Sequence, residues 1–293
     1  MKKGAFWKAD WFLALVIAIV VFAFNRFSDL IPSLERKAYD LGVKATSKNP
    51  SDKIAVIAID DQSIANIGRW PWSREVHAKM TDKLTEAKAR VIGNTVFFFE
   101  PQLDPGLQYI NRLQELYTKI HGTGQEPGAT ANPEMAQFGT ILTEAEKTLN
   151  TDVRLAESFK KAGIVTLPIV FELGEPRGKP DKPLPEFVTR NTIPGGDPNA
   201  VFPQAVSVQY PVDIIGNAAA ALGHLNASPD SDGAIRQEPI VVDFYGQRMP
   251  SLSAIIAAKS LNLSAKDIKV VPGENVSLGN LKVKTDPYAQ MYT

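Results

Sequence analysis

The sequence predicts an α/β domain with a central, mostly parallel sheet flanked by helices and preceded by one N-terminal transmembrane helix. A stretch of fourteen residues without a charged side chain, 11–24, predicts the membrane helix. Continuous apolar runs at 54–59 and 91–99 are typical of strands buried on both faces of a parallel sheet. An apolar stripe over 76–87 predicts an amphipathic helix between them. These three elements form a strand–helix–strand unit, whose crossover we expect to be right-handed.

The membrane helix needs residues beyond its apolar run, because roughly 20 residues cross the core of a bilayer. Residues 25–31 supply that length. Lys2, Lys3 and Lys8 precede the run, so the positive-inside rule places the N-terminus in the cytoplasm and the body outside the inner membrane. A cleaved signal peptide and a buried core helix are the alternatives. The missing small-residue cleavage pattern and the missing polar face favour an uncleaved anchor over 1–31.

The outer domain, 32–293, begins with a predicted helix over 32–49 that leaves the membrane. After the first predicted strand, Ser73 is placed to cap the amphipathic helix, and Glu75 lies in its first turn, where the helix dipole favours an acid. The second apolar run then completes the strand–helix–strand unit. This order places the carboxyl ends of both predicted strands at one edge of the sheet.

An insertion at about 104–150 carries two predicted helices, 107–120 and 134–149, before the α/β pattern continues. Seven prolines between 174 and 203 predict a long surface loop, because such a stretch sustains neither a helix nor a central strand. The further predicted elements are a helix over 152–162 ended by Gly163, a strand over 164–171, a helix capped by Asp213 and stopped by Gly223, a strand over 235–244, a helix over 251–261 and a hairpin over 276–284 around Gly279 and Asn280.

Composition excludes several classes of function. Three of the 32 basic residues and one of the 32 acidic residues precede the apolar run, which leaves 29 basic and 31 acidic residues after it. This slightly acidic body lacks the basic face expected of a nucleic-acid-binding protein. The chain has no cysteine, which excludes disulfides, thiolate nucleophiles and cysteine-ligated metal sites.

Signatures of catalysis are missing from the sequence. It has no Walker A loop, no Gly-x-Gly-x-x-Gly, no Gly-x-Ser-x-Gly and no His-Glu-x-x-His. The three histidines, His77, His121 and His224, lie far apart in the chain. We therefore expect no enzyme activity and no cofactor.

Acidic residues follow both strands of the predicted strand–helix–strand unit. Asp60 and Asp61 follow the first strand, and Glu100 and Asp104 follow the second. Ligands of open α/β sheets gather at the carboxyl ends of strands, and four acids there would suit Ca²⁺ or Mg²⁺. The structural alternative is that one acid caps a helix or accepts hydrogen bonds from loop N–H groups. No metal is assigned on this basis.

The most unusual segment is 68–74, Gly-Arg-Trp-Pro-Trp-Ser-Arg, which lies between a strand end and a helix start. As a binding site, Trp70 and Trp72 would offer faces for stacking, and Arg69 and Arg74 would offer forked donors for anions. As structure, the same residues would form a rigid plug, its arginines paired with the acids that end the strands. The sequence supports the two interpretations equally.

Several motifs together resemble the CHASE2 domain family. The matching segments are 57–63, 68–74, 77–78, 99–101, 223–226, 229–233 with its Asp232, Arg236 and 249–252. The acidic stretch Pro-Asp-Ser-Asp-Gly at 229–233 lacks the EF-hand spacing, so we interpret it as a turn with positive φ at Gly233. The resemblance covers the chain from about residue 31 to its end, and its force lies in the combination of motifs.

The resemblance implies an extracytoplasmic sensor whose signal reaches a cytoplasmic kinase or nucleotide cyclase beyond this chain. The sequence stops before the last glycine-rich motif of the family, so we expect the domain to be incomplete here. We expect the membrane, a homodimeric copy and an unknown small-molecule or protein stimulus as partners. Alternatives are an anchored metal-assisted hydrolase and a structural subunit of a membrane complex. The candidate ligand-binding or signalling residues are Asp60, Asp61, Arg69, Trp70, Trp72, Arg74, Glu100, Asp232 and Arg236.

Overall fold

The computed structural model describes residues 10–46, 49, 51–102, 104–121, 133–195 and 200–293. The chain divides into two compact units, Met1–Ile67 and Gly68–Thr293. The three lysines that precede the apolar run, the stretch between the two predicted insertion helices and residues 196–199 of the proline-rich loop lie outside the described residues.

The smaller unit contains three helices in its described part: α1 (Asp10–Phe27), α2 (Leu30–Ala45) and α3 (Asp61–Ile67). Ser28 and Asp29 separate α1 from α2. The Ser28 hydroxyl donates to the carbonyl of Phe24, and Arg36 donates to the carboxylate of Asp29. These local bonds hold the break between the first two helices.

The predicted transmembrane helix is wrong, because none of the helices in the described part of the chain is long and apolar enough to cross a membrane. Helix α1 ends at Phe27 and α2 begins at Leu30, so residues 28–31 do not lengthen the apolar helix. The 18 residues of α1 span about 27 Å, against about 30 Å for the hydrocarbon core of a bilayer. Asp10 and Arg26 shorten its apolar length further.

The predicted strand over 54–59 is also not formed. Residues 54–60 have no regular secondary structure and are exposed, Val56 to 87%. An apolar run becomes a strand only when a neighbouring strand satisfies its main-chain N–H and C=O groups. Within the described residues this run has no such neighbour, so its composition alone does not produce the strand.

Most helices of the larger unit lie where the sequence predicts them. The bounds are α4 (Arg74–Glu86), α5 (Pro105–His121), α6 (Pro133–Leu149), α7 (Thr151–Ala162), α8 (Glu186–Thr189), α9 (Asp213–Ala218), α10 (Leu252–Ser260) and a 3-10 helix at Ala265–Asp267. However, α8 is a short helix within the proline-rich stretch predicted to contain none, the 3-10 helix was not predicted, and α9 ends several residues before Gly223. Gly163 ends α7 in the left-handed conformation with φ of 66°, as expected of a C-terminal glycine. Ser73 occupies the N-cap position of α4, but its side chain makes no capping hydrogen bond.

Strand β2 (Val165–Leu173) organises the largest sheet. It pairs in parallel with β1 (Ile92–Gly93) and with β4 (Ala221–His224). Its C-terminal half pairs instead with β3 (Ala205–Gln209), which runs antiparallel to it. The predicted strand over 91–99 is therefore reduced to the two residues of β1, followed by an extended segment.

The remaining strands form small antiparallel sheets. Strand β5 (Gln237–Pro239) pairs with β11 (Gln290–Tyr292), and β6 (Val241–Phe244) pairs with β7 (Gln247–Pro250). Strand β9 (Asn275–Leu278) lies between β8 (Ile268–Val271) and β10 (Leu281–Lys284). The predicted hairpin is thus confirmed as β9 and β10, with Gly279 at φ of 61°.

The fold is α/β, but the prediction of one central, mostly parallel sheet is wrong. The sheets are small and mixed, and most strand pairs in the described residues are antiparallel. Antiparallel partners need only a tight turn between them, whereas a parallel partner needs a long crossover. In the C-terminal third, tight turns join antiparallel strands at each hairpin. The single strand predicted over 235–244 is instead two short strands, β5 and β6, with different partners.

Helix α4 also buries a different face from the predicted one. Met80, in the predicted apolar stripe, is 40% exposed, whereas His77 and Ala78 are buried. The reason is the packing of α4 against α7, where the Ser158 hydroxyl donates to the Ala78 carbonyl at 3.1 Å and to the Asp82 carboxylate at 2.8 Å. A neighbouring helix, not only the sheet, thus sets the buried face.

The sequence predicts that Gly223 ends a helix, and this prediction is wrong. Gly223 lies inside β4. A Cβ atom at this position would lie 2.6 Å from Cα of Leu252 and 2.8 Å from Cγ2 of Ile255. Because the first of these atoms belongs to the main chain of α10, the collision cannot be relieved by a side-chain rotation. The glycine therefore permits the close approach of α10 to β4.

We expect Gly223→Ala to lower the free energy of unfolding by about 2–3 kcal/mol, since overpacking displaces main chain. Gly42→Ala is the control, because a Cβ there meets nothing within 4 Å and alanine favours the helix. Chemical denaturation of both variants measures the difference. Equal stability of the two variants would contradict this account of Gly223.

Candidate functional site

The 68–74 segment packs inward as an aromatic cluster. The rings of Trp70 and Trp72 meet edge to face, with centroids 5.4 Å apart. His77 contacts Trp70 at 5.8 Å and the core residue Phe98 at 5.4 Å, again edge to face. Trp72 donates its indole N–H to the carbonyl of Gly68 at 2.8 Å. These contacts match the plug interpretation of the two tryptophans.

Arg74 joins three segments at the start of α4. Its Nε donates to Oδ1 of Asp152 at 3.0 Å, and its Nη2 donates to the main-chain carbonyl of Glu100 at 2.8 Å. The guanidinium also lies over the ring of Phe98, 4.7 Å from its centroid. Both side chains of the ion pair are mostly buried, 13% exposed for Arg74 and 11% for Asp152. The plug interpretation expected Arg74 to pair with an acid that ends a strand, which is wrong, because its carboxylate partner is Asp152 in the first turn of α7.

Gln102 closes the same network. Its main-chain N–H donates to Oδ2 of Asp152 at 2.9 Å, and its side-chain oxygen accepts from the main-chain N–H of Arg74 at 2.7 Å. The hydroxyl of Thr151 donates to the same oxygen at 3.1 Å. Arg74, Gln102, Thr151 and Asp152, which we call the Arg74 network, therefore fix the starts of α4 and α7 to the segment after β1. In the sequence, Asp152 is only the first residue of a predicted helix, and its pairing with Arg74 is hidden because 78 residues separate them.

A cleft of about 800 Å³ opens beside this network. Its wall on one side is the segment around Phe97, Phe99 and Glu100, whose two phenylalanine rings stack at 5.0 Å. Its other walls come from the proline-rich loop and from β3. The lining residues are Pro71, Arg74, Phe97, Phe99, Glu100, Pro180, Asp181, Lys182, Pro183, Leu184, Val206, Ser207, Val208, Gln209, Tyr210 and Phe244.

The structure therefore brings together two of the predicted site residues, Arg74 and Glu100, at one cleft. Trp70 and Trp72 do not line it, and Arg69 is exposed outside it. Sequence reasoning missed Phe97 and the loop at 180–184. Phe97 lies in an apolar run that predicts a wholly buried strand, so its exposure is not expected from the sequence. No local pattern links this run to the proline-rich loop.

Asp60 and Asp61 belong to the smaller unit, where they begin α3. Oδ1 of Asp60 accepts the main-chain N–H of Ser63 at 2.8 Å, and the Ser63 hydroxyl accepts the N–H of Asp60 at 2.9 Å. The hydrogen bond from the Ser63 N–H holds the pKa of Asp60 below its usual value. Asp60 thus caps a helix, and Asp61 lies exposed in its first turn.

Asp232 and Arg236 form a clamp around the 229–233 turn. Arg236, whose side chain is 8% exposed, donates to both carboxylate oxygens of Asp232 and to Asp230 at 2.6 Å. Gly233 has φ of 84°, as predicted for this turn. The main-chain carbonyl of Arg236 also accepts the N–H of Thr293. The family motif here ties a turn to the last strand pair.

Two buried histidines carry lowered pKa values. Burial, with the nearby charge of Arg74 as a second cause, lowers the pKa of His77 to about 4. Burial lowers the pKa of His224 to about 3, although its ring lies against the carbonyl of Ile240. Nδ1 of His224 accepts the main-chain N–H of Asn226 at 3.4 Å. Both imidazoles are therefore neutral in the folded chain at neutral pH.

The described residues contain no group of three or more histidine, aspartate or glutamate side chains placed to hold a metal ion. The cleft has two acids in its lining, Glu100 and Asp181, and no histidine. Its lining combines stacked aromatic rings, apolar side chains and a few charged groups. Its volume is large enough to hold a small ligand.

The protein is thus an α/β domain with a partly open cleft between the segment after β1, β3 and the proline-rich loop. The chain belongs to the CHASE2 domain family, whose model matches residues 13–292. CHASE2 domains are extracytoplasmic sensory domains, which places this chain outside the cytoplasm. No curated protein and no solved structure matches the chain.

The Arg74 network predicts a sharp difference between two ion pairs. We expect Asp152→Ala to lower the free energy of unfolding by about 3 kcal/mol, because it leaves Arg74 as a mostly buried, unpaired charge. The control is Arg154→Ala, which removes the exposed pair with Glu75 at 3.3 Å and should cost less than about 1 kcal/mol. Urea denaturation measures both, and equal losses would show that the network does not stabilise the fold.

The two histidines predict a loss of stability in mild acid. Their pKa is lowered in the folded chain, so between about pH 6.5 and pH 4 the unfolded chain binds more protons than the folded one. Stability should be full above about pH 6.5 and should fall as the pH falls toward 4. Denaturation midpoints between pH 7.5 and pH 5 measure the slope, which His77→Phe should reduce. A flat profile, or an unchanged slope in the variant, would refute the assignment.

Proposed function

We propose that this chain is the sensory part of a bacterial membrane receptor, which binds its stimulus in the cleft beside the Arg74 network. The signal passes to a cytoplasmic output domain, a Ser/Thr kinase, a histidine kinase or a nucleotide cyclase. Membership of an extracytoplasmic sensory family supports the role. The single observation that carries the location is the cleft itself, with stacked Phe97 and Phe99 on one wall.

The position of Arg74 supports a route from the cleft into the fold. Arg74 lines the cleft, and its guanidinium also binds Asp152 at the start of α7. Arg74 donates a hydrogen bond to the main-chain carbonyl of Glu100, so a ligand that contacts Glu100 also contacts a segment bound by Arg74. A ligand shifts a conformational equilibrium only by binding one state more tightly than another. The ligand here would act by favouring one arrangement of these three segments.

The proposal assigns no catalysis to the chain. The lining of the cleft includes carboxylates but no histidine, serine–histidine pair or cluster of metal ligands. Glu100 and Asp181 would act on a ligand as charges. The enzyme activity of the receptor lies in its output domain.

We expect Phe97→Ala in the full receptor to abolish the response of the output enzyme to its stimulus while leaving receptor abundance unchanged. Phe97 is 49% exposed, so its truncation should cost little stability. Tyr109→Ala on α5, which is 67% exposed and outside the cleft, is the matched control and should respond normally. Output activity is measured in cells with and without extracytoplasmic stimulus. A normal response in Phe97→Ala would remove the cleft from the mechanism.

A further inference from the structure

Strand β3 pairs with β2 along one edge, and its other edge is largely unpaired within the described residues. Its pairing with β2 sets Val208 opposite Phe171. The main-chain N–H of Phe171 donates to the side-chain oxygen of Asn226 at 3.0 Å, and its carbonyl accepts from the Asn226 amide at 2.6 Å. Both main-chain groups of Phe171 are therefore used on the side of β2 away from β3. In an antiparallel pair this makes Phe171 and Val208 a non-hydrogen-bonded pair.

It follows that the N–H and C=O of Val208 point away from β2. On that outer side, β6 reaches β3 only at the bridge between Gln204 and Asp243. Between residues 206 and 210 this edge makes no main-chain hydrogen bond to another described residue; after the strand, the Val212 N–H donates to the Phe98 carbonyl at 2.8 Å. The residues of the edge, 206–210, are themselves lining residues of the cleft. The free edge of the strand thus opens into the cavity.

The walls of the cleft suit a strand lying along that edge. Phe97 and Phe99 stand on the facing side, and Pro183 and Leu184 belong to the proline-rich wall. An added strand presents its side chains alternately to the two faces of a sheet, so apolar walls accept every second residue. Free main-chain groups with apolar pockets for alternate side chains are the features that recognise peptides by strand addition.

Charge selects among peptides. The positive charge of Arg74 is matched by Asp152, which leaves Glu100, Asp181 and Lys182 in the lining. These three side chains make no ion pair with another described residue, and their net charge is negative. A basic side chain on the ligand would complement them, whereas an acidic one would be repelled.

We infer that the cleft binds an extended peptide by adding it as a strand to the outer edge of β3, with apolar side chains at alternate positions and a basic residue between them. This inference rests on the proposed sensory function and names its stimulus: a peptide, or an extended segment of a protein, outside the cytoplasm. Main-chain hydrogen bonds at Val208 supply affinity, and the aromatic walls and the acids supply selectivity.

The test uses the chain over 1–293 and a synthetic probe, acetyl-Lys-Val-Thr-Phe-Lys-Val-Thr-amide, in calorimetric titration. Three control peptides are used: two carry N-methyl groups on alternate amides, one peptide for each register, and the third has glutamate in place of lysine. We expect saturable binding of the probe and at least about tenfold weaker binding of the glutamate peptide, which loses charge complementarity, and of the N-methylated peptide whose modified amides face β3, which loses hydrogen bonds.

Val208→Pro is the matched protein variant. Proline removes the outward N–H of Val208 and is tolerated on the unpaired side of an edge strand, so the pairing with β2 should persist. We expect the melting temperature to change little and the probe to bind about tenfold more weakly. Glu100→Gln keeps the strand edge and should weaken binding of the lysine probe alone. It therefore tests the charge separately if the proline variant fails to fold.

The inference is overturned if the probe does not bind, if N-methylation in neither register weakens it, or if sedimentation shows a second copy occupying the cleft. A small apolar molecule that competes without main-chain groups and binds as well to Val208→Pro would also overturn it. These failures are distinct from failure of the sensory role. If Phe97→Ala still abolished the receptor's response, the cleft would remain the sensory site with a ligand that is not a peptide.

Discussion

The larger unit depends on the ion pair between Arg74 and Asp152. It joins the first residue of α4 to the second residue of α7, and the main-chain bonds of Gln102 and Glu100 add the segment after β1 to the same point. Both charges are largely removed from water, so neither is stable there without the other. The aromatic cluster of Trp70, Trp72 and His77 reaches this pair through Phe98, which contacts His77 and lies beneath the Arg74 guanidinium. Local packing and charge pairing thus reinforce one another.

Strand β2 is the second constraint, because one side of it pairs with two different strands. Its N-terminal half pairs with β1 on the side where its C-terminal half pairs with β3, and β4 pairs along the middle of the other side. The segment after β1 therefore separates from β2 as β3 takes its place. The cleft opens where Phe97 and Phe99 leave the sheet and β3 enters it, so the sheet topology creates the cavity.

Several of the motifs that resemble the family have a structural role. Gly223 allows α10 to approach β4, and Arg236 clamps the turn that precedes β5. Asp60 caps α3, and the two tryptophans pack on His77. These motifs maintain the fold, and most residues that line the cleft lie outside them. The lining of the cleft, and with it the ligand, is therefore free to differ among proteins that share the motifs. Phe97, Val208 and the loop at 180–184 belong to this lining.

The sequence by itself determined the family, the positions of most helices, the left-handed glycines at Gly163 and Gly279, and the turn at Gly233. These features depend on residues within one or two turns of each other, where glycine, capping and periodicity act directly. The predictions of a central, mostly parallel sheet and of a membrane helix are wrong. The run at 11–24 has the composition of a membrane span, but the break that ends its helix lies beyond the run, at residues 28–29. The run at 54–59 has the composition of a buried strand, but no neighbouring strand pairs with it in the described residues.

Only the tertiary structure decided which acid pairs with Arg74, which face of α4 is buried and where the cleft lies. Asp152 is 78 residues from Arg74, and β3 is more than one hundred residues from Phe97, so no local pattern connects them. The burial of charge selects a partner by distance in space, and strand pairing selects one by free hydrogen-bonding groups. Both choices are made by the folded chain as a whole, which is why composition and spacing could place Arg74 and Glu100 near a site but could not assemble it.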